Sequence, residues 1–308
     1  MVGTAPPRTE HALPPDARAE LAADAPVVTT EDHATLARDG FVRLRGVLSG
    51  ATVAAVAAVV ADVARRSSQR GTPLADRGVY QQAFLQEANV WQRRADVRPL
   101  VFSPRLGRVA ADAVGATGVR LYHDQALVKE AGGGRTPWHC DQHYWPLDTD
   151  RAVTIWIPLQ DTPLDMGPLR FRRRSHEVDL GRGLAISAEG EEQMRRHPRW
   201  AAMEPDEQPF SAGDVSVHTG WTFHGARPNA TGRDRLAMTM IYLPDGTRLT
   251  EPTAGQAFDR RAWLPDAEAG EPIDSWLNPL VWAADGAHAG TLDRLPPPAA
   301  MVGAFTVP

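Results

Sequence analysis

Apolar positions in the first third of the chain recur at helical spacing, and from residue 118 onward they alternate as strands require. Thr30 is placed to cap a short helix through Ala37 that ends at Gly40, and Phe41-Val42-Arg43-Leu44 then alternates as a strand. Ser49 precedes a second helix with Val53, Val56, Val60 and Val63 on one face, and Arg65-Arg66 sits at its C-terminal dipole. A third helix is predicted from Pro104 to Val114, closed by Gly115. Strand signals follow at Gly118 to Glu130, Ala152 to Leu159, Gly167 to Phe171, Asp214 to Thr219 and Leu236 to Leu243. That succession predicts a β-sandwich or barrel flanked by helices. The polar stretch 177–208 lies between two strands, where a lid or insertion is tolerated. The last 60 or so residues carry Trp263, Trp276 and Trp282 with no period that fixes their structure, and Pro298 stands near the end. Residues 1–29, with Pro6, Pro7, Pro14, Pro15 and Pro26, read as a flexible tail, which leaves 30–308 as a single domain.

Composition narrows the function. A formal net charge of -5 and a pI near 6.1 disfavour a nucleic-acid partner. No apolar run approaches the roughly 18 residues of a membrane span, so a soluble chain with no membrane partner is expected. No basic head followed by an apolar stretch opens the sequence, which predicts a cytoplasmic protein. A single cysteine, Cys140, excludes internal disulfides and multi-thiolate metal sites, so any metal must be held by His, Asp or Glu. Lys129 is the one lysine among 33 basic residues, a bias that, with abundant alanine, fits a GC-rich bacterial genome.

The patterns GxSxG, HExxH, GxGxxG and the P-loop are all absent. Gly132-Gly133-Gly134 is followed by no helix and reads as a turn, and the sequon Asn229-Ala230-Thr231 has no secretory context. What remains is Trp138-His139-Cys140-Asp141, then Phe223-His224-Gly225, then Arg235. In an extended strand residues i and i+2 share a face, so His139 and Asp141 can offer an imidazole and a carboxylate to one point. A second histidine from a distant strand completes two His and one carboxylate on one face of an octahedral ion, the arrangement of non-haem Fe(II) oxygenases. His218, six residues before His224, is a rival third ligand.

These segments occur in order with Thr136 to Pro146, Thr154-Ile155-Trp156-Ile157, Gly167-Pro168-Leu169, Ser175-His176 and Gly213-Asp214. Together they resemble the phytanoyl-CoA dioxygenase family of Fe(II)/2-oxoglutarate-dependent oxygenases, from roughly residue 30 to 243 and most densely between Tyr122 and Tyr242. The resemblance implies a double-stranded β-helix, the cupin-like jelly roll, mainly β with flanking helices. It implies His139, Asp141 and His224 as iron ligands and Arg235 as the grip on the distal carboxylate of 2-oxoglutarate. It favours His224 over His218 and Arg235 over Arg233, because Arg235 directly precedes the apolar strand Leu236-Ala237-Met238. Arginine suits that role on physical grounds, since its planar fork binds a carboxylate bidentately and stays protonated.

Lys129 and Trp156 match positions that line the 2-oxoglutarate pocket in the family, with Tyr122, Gln125 and Thr154 as further candidates. Near the ligands in sequence, His143, Tyr144, Trp145 and Trp221 would form an aromatic, partly polar pocket mouth, joined by His218 in the accessory position that the family suggests. Arg174 stands where many members carry a glycine before Ser-His, and Arg172 and Arg173 precede it; as a charge run they read as a solvated face or an attraction for an acidic substrate group. The implied chemistry consumes O2 and 2-oxoglutarate to oxidise a small organic molecule, which is expected to be a tailoring step in bacterial specialised metabolism. Hydroxylation, desaturation, cyclisation and epimerisation share one oxidising intermediate, whereas Asp141 fills the position that a halide would need. The alternative is a cupin-like metal-dependent isomerase or lyase that works without 2-oxoglutarate.

Overall fold

The computed structural model of the protein describes residues 12–297. Its helices are α1 (Pro15–Ala22), α2 (Thr30–Asp39), α3 (Gly50–Arg66), α4 (Val79–Ala83), α5 (Arg98–Val101), α6 (Pro104–Val114), α7 (Ala188–Arg196), α8 (Ala257–Trp263) and α9 (Thr291–Arg294). Its strands are β1 (Phe41–Leu44), β2 (Leu85–Ala88), β3 (Gly118–Lys129), β4 (Thr136–His139), β5 (Val153–Pro158), β6 (Leu169–Arg172), β7 (Pro205–Asp206), β8 (Val215–Thr219), β9 (His224–Ala226), β10 (Arg235–Pro244) and β11 (Leu280–Ala283).

Seven strands form one antiparallel sheet in the order β1-β8-β5-β10-β3-β11, with β2 also paired to β3, and four form a second in the order β4-β9-β6-β7. From β3 to β10 the chain alternates between the sheets, except where β6 and β7 share the smaller one, which is the winding of a jelly roll. Side-chain alternation gives the large sheet two unlike faces. Ile155, Ile157, Val215, Val217, Met238 and Met240 point outward and pack with Val53, Val56 and Val60 of α3 and Leu106 and Val109 of α6. Thr154, Trp156, Gln125 and Thr239 point inward and line a cavity between the sheets. The sequence-predicted placement of Thr154 with Trp156, and of Ile155 with Ile157 on the opposite side, is what the structure shows.

Two expectations change. The first helix is capped by Thr29, not Thr30, through a capping box with Asp32, and it runs on to Asp39 before Gly40 takes φ 85°. More consequentially, part of the segment read as a flexible tail is ordered: α1 lies within it and packs on α3 and α6. The prolines that suggested a tail include Pro15 in the first turn of α1, where its missing N–H costs nothing. Leu21 is 1% exposed, and Glu20 accepts hydrogen bonds from Ser49 N at 2.8 Å and Ser49 Oγ at 2.7 Å, tying α1 to the start of α3. Pro6 and Pro7 lie outside the described residues, as does Pro298. The unpatterned C-terminal stretch also joins the domain. β11 extends the large sheet beside β3, and Asn278, wholly buried, donates to the carbonyls of Leu121, Tyr122 and Trp263.

Because Leu21 is fully enclosed, Leu21→Ala should cost about 2–4 kcal/mol, the usual penalty for a buried Leu truncation. Urea unfolding checks this, and an unchanged midpoint would return the segment to the status of a loose tail.

Candidate metal and anion site

The smaller sheet brings the two histidines together. His139 ends β4 and His224 begins β9, they are directly paired across the ladder, and their ring centroids lie 4.1 Å apart. β4 stops at His139, yet Cys140 stays extended (φ -127°, ψ 139°), so Asp141, the first residue of a 3-10 turn, returns to the same side. His139 Nε2 and His224 Nε2 each lie 3.6 Å from Asp141 Oδ1, and the three candidate donor atoms fall within 4.8 Å of one another. Each imidazole has its other nitrogen on a backbone carbonyl, His139 Nδ1 on Pro137 O at 2.8 Å and His224 Nδ1 on Thr222 O at 3.0 Å. Donation from Nδ1–H in both rings leaves the two Nε2 lone pairs facing Asp141. Burial pushes both imidazoles down to about 4, so they are neutral and able to ligate at neutral pH. Burial opposes ionisation of Asp141, but His224, His218 and His139 outweigh it and hold the carboxyl well below its usual range.

The second oxygen of Asp141 is held from the large sheet. Thr154 Oγ1 donates to Asp141 Oδ2 at 3.3 Å, and His218, paired with Thr154 across β5 and β8, places Nε2 3.8 Å from the same oxygen. His218 therefore stands behind the carboxylate, outside the set of three converging atoms, with both ring nitrogens lacking a hydrogen-bond partner.

A cavity of about 410 Å³ opens from these groups and is closed at its inner end by Arg235. This guanidinium is 2% exposed, stacks over Trp156 with 5.4 Å to the ring centroid, and donates from Nη1 to Gly167 O at 2.8 Å. Its Nε has no partner, and burial lowers its pKa to about 10, which still leaves it charged. Gly167 can present that carbonyl because its φ is 70° and a Cβ there would collide with the Arg227 carbonyl oxygen. Arg233, the rival in sequence, is exposed. A charged, buried donor left without an anion at the end of a cavity is a site for a carboxylate.

Of the other residues singled out in the sequence, Trp156, Gln125, Thr154, Tyr144, Trp145 and His218 line the cavity. Four are placed elsewhere. Lys129 is wholly buried and donates to the carbonyls of Ala83 and Gly134, so it pins the Gly132-Gly133-Gly134 turn from outside the lining, with its pKa pushed down to about 6 by burial and by Arg235 and Arg170. Tyr122 is outside the lining because His123, Gln125 and Leu127 alternate into the cavity, and Tyr122, three residues from Gln125, packs instead against Trp145 and donates to Asp259. His143 hydrogen-bonds Arg182 O at 2.9 Å, and Trp221 donates to Asp150 at 2.7 Å beneath Arg182; neither reaches the cavity. The arginine run is structural: Arg173 pairs with Asp39 and Asp206, Arg172 lies 4.2 Å over Trp200, and Arg174 pairs with Glu177.

Sequence reasoning missed His123, Thr136, Phe258, Asp259 and Trp263 in the lining, along with Ala185 and Ile186. The last two belong to the 177–208 insertion, whose Ile186 N donates to Tyr144 Oη at 2.7 Å over the cavity mouth. The insertion is fixed to the smaller sheet by the Arg172–Trp200 stack and to β4's flank by Arg135 with Glu191.

The family profile described as phytanoyl-CoA dioxygenase matches residues 36–237. No curated protein sequence matches significantly. Among solved structures, the chain is similar to the non-haem α-ketoglutarate-dependent carbocyclase SnoK from nogalamycin biosynthesis (24% identity, 82% of this chain and 96% of that one, TM-score 0.68). It is similar to the epimerase SnoN in complex with Fe3+, α-ketoglutarate and nogalamycin RO (25% identity, 82% and 97%, TM-score 0.67). EctD from S. alaskensis with bound Fe shares the fold at 19% identity (75% and 82%, TM-score 0.58). Fe and 2-oxoglutarate are thus the groups held in structures of this type, and the His-Asp-His set fits iron.

If the three converging atoms are the ligands, His224→Ala abolishes Fe(II) binding while His218→Ala retains it, as iron content after anaerobic loading would show. Thr154→Val, which removes the hydroxyl that orients Asp141, should weaken Fe(II) binding about 10- to 100-fold in the same titration. Unchanged affinity would mean that the hydroxyl orients nothing.

Proposed function

Because the chain belongs to the phytanoyl-CoA dioxygenase family, we propose that it is a non-haem Fe(II)/2-oxoglutarate-dependent dioxygenase that oxidises a small organic molecule, a tailoring step of bacterial specialised metabolism. The observation that carries this reading is Arg235, buried, charged and without an anion at the inner end of the cavity that also holds His139, Asp141 and His224.

In this reading His139 Nε2, Asp141 and His224 Nε2 would hold Fe(II), and the iron with 2-oxoglutarate would supply the O2-dependent oxidation. Arg235 binds the far carboxylate of 2-oxoglutarate and so fixes which end of the keto acid points toward the triad. Trp156 backs the guanidinium with its ring face, and Gly167 O accepts one of its hydrogen bonds, leaving the guanidinium without an anionic partner until the carboxylate binds. Thr154 holds Asp141 Oδ2 by a hydrogen bond, with His218 3.8 Å behind it, which keeps Oδ1 directed between the two imidazoles. Tyr144 and Ile186 narrow the mouth and limit water. The residues fix the oxidant's place; the substrate's pose then decides among hydroxylation, desaturation, cyclisation and epimerisation. The rival reading, a metal-dependent isomerase or lyase without 2-oxoglutarate, leaves Arg235 with no anion and so gives no account of its burial.

Metal-free protein titrated anaerobically with Fe(II) and then 2-oxoglutarate should develop the visible charge-transfer band of keto-acid chelation. Arg235→Ala should bind Fe(II) normally but require at least about 30-fold more 2-oxoglutarate for the band, the factor expected when one partner of a buried ion pair is removed. Iron binding without a band would favour the isomerase or lyase.

A further inference from the structure

The cavity extends well beyond the triad. Its outer part is walled by Phe84, Tyr144, Trp145, Ile186, Phe258 and Trp263, and among these stands one acidic side chain, Asp259 on α8. Asp259 is buried, accepts a hydrogen bond from Tyr122 Oη at 3.2 Å and another from the Trp263 side chain, and has no arginine or lysine partner among the described residues. Both donors are uncharged. The other titratable groups of the lining do not offset it: burial keeps His123 neutral, and Asp141 adds repulsion. Burial without a cation accordingly pushes Asp259 up to about 7.

The inner end of the cavity is different. Arg235 offsets Asp141, and a divalent ion offsets a 2-oxoglutarate dianion, so that the charged groups there cancel once both are bound. Asp259 is then the one lining charge left to be met by what enters through the mouth. A carboxylate among aromatic faces favours an ammonium, which gains an ion pair and ring-face attraction together. An uncharged substrate would leave the carboxylate as it is, and an anionic one would be repelled.

We propose that Asp259 is the anchor for a protonated amine of the substrate, whose apolar body fills the aromatic outer cavity. This rests on the reading of the inner site given above. Anchoring at α8 sets the substrate's reach toward the triad, so Asp259 selects which carbon is presented for oxidation.

The test uses the full-length enzyme loaded anaerobically with Fe(II) and 2-oxoglutarate, with calorimetric titration of phenethylamine and its uncharged counterpart 2-phenylethanol. Phenethylamine should bind at least about 10-fold more tightly, and Asp259→Asn, which preserves shape and a hydrogen-bonding carbonyl, should erase that preference while the charge-transfer band persists. A wild-type enzyme that forms the band but shows no preference for the amine, including one that binds neither probe, overturns the proposal without needing a folded variant. Preference surviving in Asp259→Asn overturns it as well. Failure of the wild type to form the band sinks the inner-site reading instead.

Discussion

An arginine taken out of water with no carboxylate to meet it is among the more costly things a fold can contain, and much of this structure is arranged around one. Transfer of such a charge to the interior costs several kcal/mol even after relaxation. The Trp156 face and the Gly167 carbonyl offset part of that at Arg235, but Nε is left without a partner. Both supports are built from the same sheet logic. Trp156 faces inward because Ile155 and Ile157 are drawn outward to the helices, and Gly167 reaches Arg235 because only a residue without Cβ can make the turn before β6. The charge thus remains stabilised enough to fold and unsatisfied enough to bind.

The triad obeys the complementary constraint. Its histidines are opposed across β4 and β9 in the small sheet, whereas the groups that face Asp141 Oδ2, Thr154 and His218, are opposed across β5 and β8 in the large one. The carboxylate is therefore where the two sheets meet, and the spacing between them sets how closely the donor atoms approach. Outer packing of α3 and α6 on the large sheet acts through the same spacing: Val217 and Ile155 pack among the helices, while their chain neighbours His218 and Thr154 face Asp141. Stability and site geometry are coupled by alternation along two strands.

That alternation also governs what was legible in the sequence. Where period two is unbroken, as in β5, the inward and outward residues could be named in advance, and the His-x-Asp spacing needed only one extended residue, Cys140. Tyr122 failed because it stands three residues from Gln125, so the same period of two puts His123 in the lining in its place. α1 was hidden for a different reason: prolines mark helix starts as well as loops, and only the burial of Leu21 distinguishes the two. Lys129 lies on the expected strand, yet its long stem carries the ammonium out of the lining to the glycine turn, a reach that spacing does not encode.

Ala185, Ile186, Phe258, Asp259 and Trp263, all missed, lie in two segments with weak or no periodicity, 177–208 and the stretch after β10. This division has a physical cause. Ligation and carboxylate binding demand fixed angles, which paired strands supply; the shape of the substrate space demands only that some side chain occupy a wall, which a turn such as Leu184-Ala185-Ile186 or a short helix such as α8 can do. Ile186 N donates to Tyr144 in the turn that follows β4, and Tyr122 of β3 donates to Asp259, so each wall residue is tied back toward the strand framework. Substitution or insertion in these segments changes the outer cavity while leaving the inner charges in place. The same inner site can therefore be presented to different substrates, and identity of the metal ligands alone does not transfer a reaction from one such protein to another.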